Sequence, residues 1–113
     1  MNIPLLMLQL LGLHFLCDFA LQGDYMARAK NRFVDKPAPE WFWALGGHAL
    51  IHGAAVGSLL GWQLGCAEAV MHCVIDYAKC ERRISYNDDQ IMHIACKVGW
   101  LAIASFEAYA ETK

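Results

Sequence analysis

All five histidines in this chain have a His or Asp four residues away, in the pairs His14/Asp18, His48/His52, His72/Asp76 and Asp89/His93. Residues at i and i+4 stand one above the other on a helix face, so each pair aims two metal-type ligands in one direction. Five imidazoles and three carboxylates suffice for two four-coordinate divalent ions, with positions shared or left open to water. A two-ion site of this kind makes a hydroxide near neutral pH and clamps the attacking and leaving oxygens at a phosphoryl or acyl centre. Hydrolysis is therefore the first chemistry these residues suggest. Zn leads as the metal, and Fe, Mn or Ni fit the same donors, because no thiolate spacing selects among them.

Lys97 lies one turn beyond His93 on the same face, where it could bind a substrate phosphate or carboxylate or hold a nearby Asp in place. A lysine of a polar interior, or one snorkelling along its helix, accounts for it equally well. Asp89 also fits a plainer role, since an acid in the first turn of a helix is favoured by the dipole. Any single buried His is ordinarily a hydrogen-bonded core residue; four pairs at one depth favour metal.

Positioning these pairs takes four helices. Met1 to Gln22 carries one charge, Asp18, and Trp41 to Gln63 carries no Asp, Glu, Lys or Arg. Each is long enough to cross a bilayer core, which takes about 20 apolar residues. Leu64 to Cys80 contains Glu68, Asp76 and Lys79, and Ile91 to Tyr109 contains Lys97 and Glu107. By hydropathy alone these two would suit a soluble bundle, but the first two segments lack the polar outer face that a soluble bundle needs. The expectation is an all-α single domain over residues 1–113, a four-helix transmembrane bundle of antiparallel up-down topology. Its approximate spans are 3–22, 41–62, 64–81 and 89–109.

Charge placement gives the sidedness. Arg28, Lys30, Arg32 and Lys36 follow the first span, and Lys79, Arg82 and Arg83 lie at the connection after the third. Those connections share a side, which the excess of positive charge makes cytoplasmic, so both termini are expected outside. All four pairs then fall in the cytoplasmic half of the bundle. The net charge of -2 and the topological use of the basic residues leave nucleic-acid binding without support.

The five cysteines include no C-x-x-C, and with no secretory cleavage site the thiols are expected to be reduced. Cys66, Cys73 and Cys80 share one face of the third segment as packing residues. Pro37 and Pro39 close the one long connection, Trp41, Trp43 and Trp62 suit interfacial anchoring, and Asn87 or Asp88 suits the N-cap of the fourth helix. Ala49, Gly53, Gly57 and Gly61 form a small-residue stripe that admits a close helix, including one from a second copy in a homodimer.

The ordered set His14-x-x-x-Asp18-Phe19-x-x-Gln22, Lys30, His48-x-x-x-His52-Gly53, His72-x-x-x-Asp76-Tyr77-x-Lys79 and Asp89-Gln90-x-x-His93 resembles a family of small bacterial and phage membrane proteins, domain of unknown function 3307. The resemblance runs from about Leu11 to Lys97. It implies a bacterial or phage origin, hence the inner membrane. It also makes Gln22, Lys30, Lys79 and Gln90 part of the site rather than rim residues; Lys79 and Gln90 join Lys97, marked by its spacing to His93, as the catalytic candidates. A looser similarity in the His-x-x-x-Asp and His-pair motifs points to SOS-inducible inner-membrane proteins described as metal-dependent hydrolases.

Three functions remain open from sequence. One is a metal-dependent, dinuclear hydrolase with all eight His and Asp residues as ligands, acting on a small-molecule or lipid-linked substrate. Another is a divalent-metal carrier or sensor, for which four spans would require a dimer. The third is a structural or phage-effector membrane protein in which metal or a polar network holds the bundle together.

Overall fold

A computed structural model describes all residues, 1–113, and is wholly helical. Five α-helices run in chain order: α1 (Ile3–Phe15), α2 (Gly23–Ala29), α3 (Trp41–Leu60), α4 (Trp62–Cys80) and α5 (Tyr86–Glu111). A π-helical segment, Leu16–Ala20, continues α1. The molecule is elongated, 55 × 22 × 21 Å. At about 1.5 Å per residue α5 alone is ~39 Å long, enough to exceed a bilayer core.

Local signals set the boundaries. The Asn2 side chain caps α1 by accepting from the Leu5 N–H at 3.0 Å. Ser85 and Asp88 form a reciprocal capping box on α5. The N-cap of this last helix is thus Ser85, not Asn87 or Asp88, because only the hydroxyl at 85 can reach the amide three residues on. The long connection that Pro37 and Pro39 close holds the short α2. Tyr25 of α2 donates to Glu40, the residue before α3; that bond raises the phenol's pKa and lowers the carboxyl's.

Helices α3 and α4 join through Gly61 alone, at φ +100, a conformation open to glycine and strained for other residues. The hairpin is tight because small residues face each other across it. A Cβ on Gly53 would stand 2.7 Å from the Gly65 carbonyl and 2.8 Å from Ala69 Cβ. The small-residue stripe therefore has α4 of the same chain as its partner. Ala49 and Gly53 are buried there, while Gly61 lies in the turn.

The core has two storeys. At one end Leu10, Val56 and Leu101 form an apolar cluster with Leu6, Met7, Leu59 and Trp100 around it. At the other end the interior is polar. Ten of the 23 buried residues are His, Asp, Glu or Lys, the reverse of a soluble bundle. The outer faces are apolar instead, with Leu50, Val70, Val74, Ile91, Val98 and Phe106 at least half exposed. Two helices, Ile3–Ala20 and α5, are long and apolar enough to cross a membrane.

Candidate metal centre

The polar storey is built from facing stripes. On α4, Glu68, His72, Asp76 and Lys79 share a face; on the antiparallel α5, Asp89, His93, Lys97 and Trp100 do. Opposed running directions match them rung by rung. Lys97 pairs with Glu68, the His72 and His93 rings stack at 4.0 Å, and Lys79 reaches Asp76 at 3.1 Å and Asp89 at 4.0 Å. The side of α3 that meets them brings His48 and His52, with the His52 ring stacked on His72 at 3.7 Å.

Asp18 enters from the π-helical segment. One wider turn shifts its side chain relative to a regular helix, and π-turns of this kind recur at functional sites. Asp18 Oδ1 lies 3.2 Å from His48 Nε2, 3.1 Å from His52 Nε2 and 3.9 Å from His72 Nε2. Donor atoms of Asp18, His48, His52 and His72 all fall within 4.8 Å of one another, and those of Glu68, His72 and His93 do likewise. Both nitrogens of His72 are buried without a hydrogen-bond partner, and His52 Nε2 meets only the Asp18 carboxylate, in ion-pair rather than hydrogen-bond alignment. Leaving such groups unpaired costs about 1–3 kcal/mol each, and buried imidazole nitrogens of this kind beside a carboxylate are what a divalent cation satisfies.

Of the eight sequence candidates, four converge in the first set, and His93 belongs to the second, which shares His72. His14, Asp76 and Asp89 flank them. His14 Nε2 donates to Gln90 Oε1 at 3.1 Å and lies 3.7 Å from Asp18 Oδ2. Asp76 is clasped by Lys30 at 2.7 Å and by Lys79. Asp89 Oδ1 lies 3.2 Å from His93 Nε2, and its other oxygen accepts from Gln90.

The polar candidates divide. Gln90 donates to Asp18 Oδ2 at 2.8 Å, so it orients the carboxylate on which the imidazoles converge. Gln22 donates to the Asp18 carbonyl and accepts from Lys30, placing both at the site edge. Lys97 is 1% exposed and tied to Glu68, so it faces neither solvent nor a substrate path. Sequence reasoning missed Glu68 as a site residue, and Trp100, which donates to Glu68 Oε2 at 2.6 Å. Glu68 carries the same signal as the rest: it lies four residues before His72.

These features define an all-helical protein with a buried His/Asp/Glu centre held at one end of its bundle. The chain belongs to the family described as "Protein of unknown function (DUF3307)", whose profile matches residues 5–111. No curated protein and no solved structure matches it.

Proposed function

We propose that the chain is a multi-pass protein of the bacterial inner membrane that binds a divalent cation through Asp18, His48, His52 and His72 and serves as a metal-dependent hydrolase. The observation that carries this reading is the convergence of four donors from three elements, His48, His52 and His72 buried and Asp18 half-buried, with both nitrogens of His72 lacking a hydrogen-bond partner. The ion would supply Lewis acidity; Gln90 holds the Asp18 carboxylate in place.

The inverted surface supports the membrane setting. Helices α3 and α4 turn their polar side chains inside: His48 and His52 in one, Glu68, His72 and Asp76 in the other. Polar groups inside a membrane bundle turn inward in this way. Arg28, Arg32, Lys36, Arg82 and Arg83 remain exposed at the end where the site lies, which favours a cytoplasmic location for that end. Lys30, counted as a topological charge from sequence, is spent on Asp76 instead.

Access favours an enzyme over a carrier. Gln22, Lys79 and Gln90 are partly exposed at the charged end. Toward the other end the centre is closed by Glu68, Lys97 and Trp100, then by the Leu10, Val56 and Leu101 cluster. A second reading, in which the ion or polar network only holds the bundle together, is favoured by one observation: none of the four surface cavities is lined by a His, Asp or Glu of the centre.

Elemental analysis of detergent-purified wild type and His52→Ala, followed by a screen of phosphoesters and acyl esters with and without chelator, tests both. Bound metal that is lost in the variant, with chelator-sensitive turnover, is the expected result. Metal without turnover selects the structural role. Folded wild type that stays metal-free after supplementation sinks the metal centre itself.

A further inference from the structure

The second donor set, Glu68, His72 and His93, is as compact as the first and more deeply buried, with Glu68 at 0% exposure. Yet it already contains a cation. The Lys97 ammonium sits on Glu68 Oε1, the same oxygen that lies 3.5 Å from His72 Nδ1. Trp100 occupies the other carboxylate oxygen. We infer that Lys97 is a resident cation filling a second metal position made by Glu68, His72 and His93, so that the centre accepts one divalent ion and not two.

Charge points the same way. Around the centre stand four carboxylates, Asp18, Glu68, Asp76 and Asp89, and three ammoniums, Lys30, Lys79 and Lys97. With neutral imidazoles that leaves one net negative charge. One divalent ion turns it into one net positive charge, which a hydroxide or an anionic substrate group would neutralise. Two ions would leave three positive charges in a low-dielectric interior, where isolated charge is heavily penalised. Exchanging the lysine for an uncharged residue removes one of those charges and frees the Glu68 oxygen.

His72 is the hinge between the two sets. Its Nε2 faces Asp18 at 3.9 Å and its Nδ1 faces Glu68. An ion on Nε2 would leave Nδ1 protonated and able to donate to Glu68; once Lys97 is removed, a second ion would displace that proton to solvent and share the ring with the first. The inference rests on the metal centre proposed above, and the test separates the two.

Full-length wild type, Lys97→Met and Lys97→Met/Glu68→Gln are purified in detergent, equilibrated with excess Zn²⁺, freed of loosely held ion, and assayed for zinc per chain and for helicity. The expected contents are one, two and one equivalents. Two equivalents in the wild type overturn the inference, as does a folded Lys97→Met that holds one. Lys97→Met that folds only with Zn²⁺ present supports it, because the ion then replaces the ammonium as the partner of Glu68. Failure of that variant to fold even with Zn²⁺ overturns it. No zinc in the folded wild type removes the metal centre and this inference together, a result distinct from every other.

Discussion

Gly65→Ala tests whether helix packing and the centre are one structure. A Cβ at 65 would meet the Gly53 carbonyl oxygen at 2.7 Å, Gly57 Cα at 2.8 Å and Gly57 N at 3.1 Å. All three are backbone atoms, so no side chain can swing away. Restoring a contact of ~3.5 Å requires the hairpin to open by roughly 0.8 Å. Overpacking of this kind costs about 1–3 kcal/mol, offset by up to ~1 kcal/mol of helix propensity from replacing glycine. The expected net loss is about 1–2 kcal/mol. Opening α3 from α4 also pulls His52 off His72, whose rings stack at 3.7 Å, so metal retention should fall with stability. Gly47→Ala is the control, because its Cβ meets nothing within 4 Å; it should be neutral or stabilising. Unfolding in detergent followed by circular dichroism, with zinc content measured in parallel, reads both effects. Gly65→Ala as stable as the control, with full metal content, would refute the coupling.

Asp18→Asn removes the carboxylate on which three imidazoles converge; zinc affinity, read by competition with a chelating dye, should fall at least tenfold while helicity is retained. Ser85→Ala breaks the capping box of α5 and should cost about 1 kcal/mol in the same unfolding assay, without changing zinc content. Leu101→Ala, in the apolar storey, should cost about 3 kcal/mol through the cavity it leaves; loss of zinc from the folded variant would show that the two storeys are not independent.

Local geometry explains what could be read from sequence. The His and Asp pairs were legible because the four-residue spacing is a property of one helix, and α3, α4 and α5 hold His48/His52, His72/Asp76 and Asp89/His93 as that spacing requires. The π-helical turn at Asp18 was not legible: Leu16–Ala20 contains no proline or glycine to mark it. Lys30 looked like a loop charge because its partner, Asp76, is 46 positions away and meets it only once α2 folds back. Glu68 counts only as a charge in a segment judged by hydropathy, although its spacing to His72 matches the pairs. The glycine stripe on α3 was visible; that its mate was Gly65 and Ala69 depended on the single-residue turn at Gly61.

In the membrane setting proposed above, helices gain little from burying apolar faces against each other, so something else must select their register. Here the rungs between α4 and α5 can do so. A slip of one turn would set Lys97 beside His72 and leave Glu68 without its ammonium. An unpaired buried charge costs about 3–5 kcal/mol, several times the ~0.6 kcal/mol of a typical interhelical hydrogen bond in a membrane. The Glu68–Lys97 pair thus penalises the wrong register more than any other contact could reward it. In the correct register His72 stacks between His52 and His93 and faces Asp18. The pair that fixes how α4 meets α5 is then also the one that brings the imidazoles together, and a substitution that disturbs it should affect assembly before it affects chemistry.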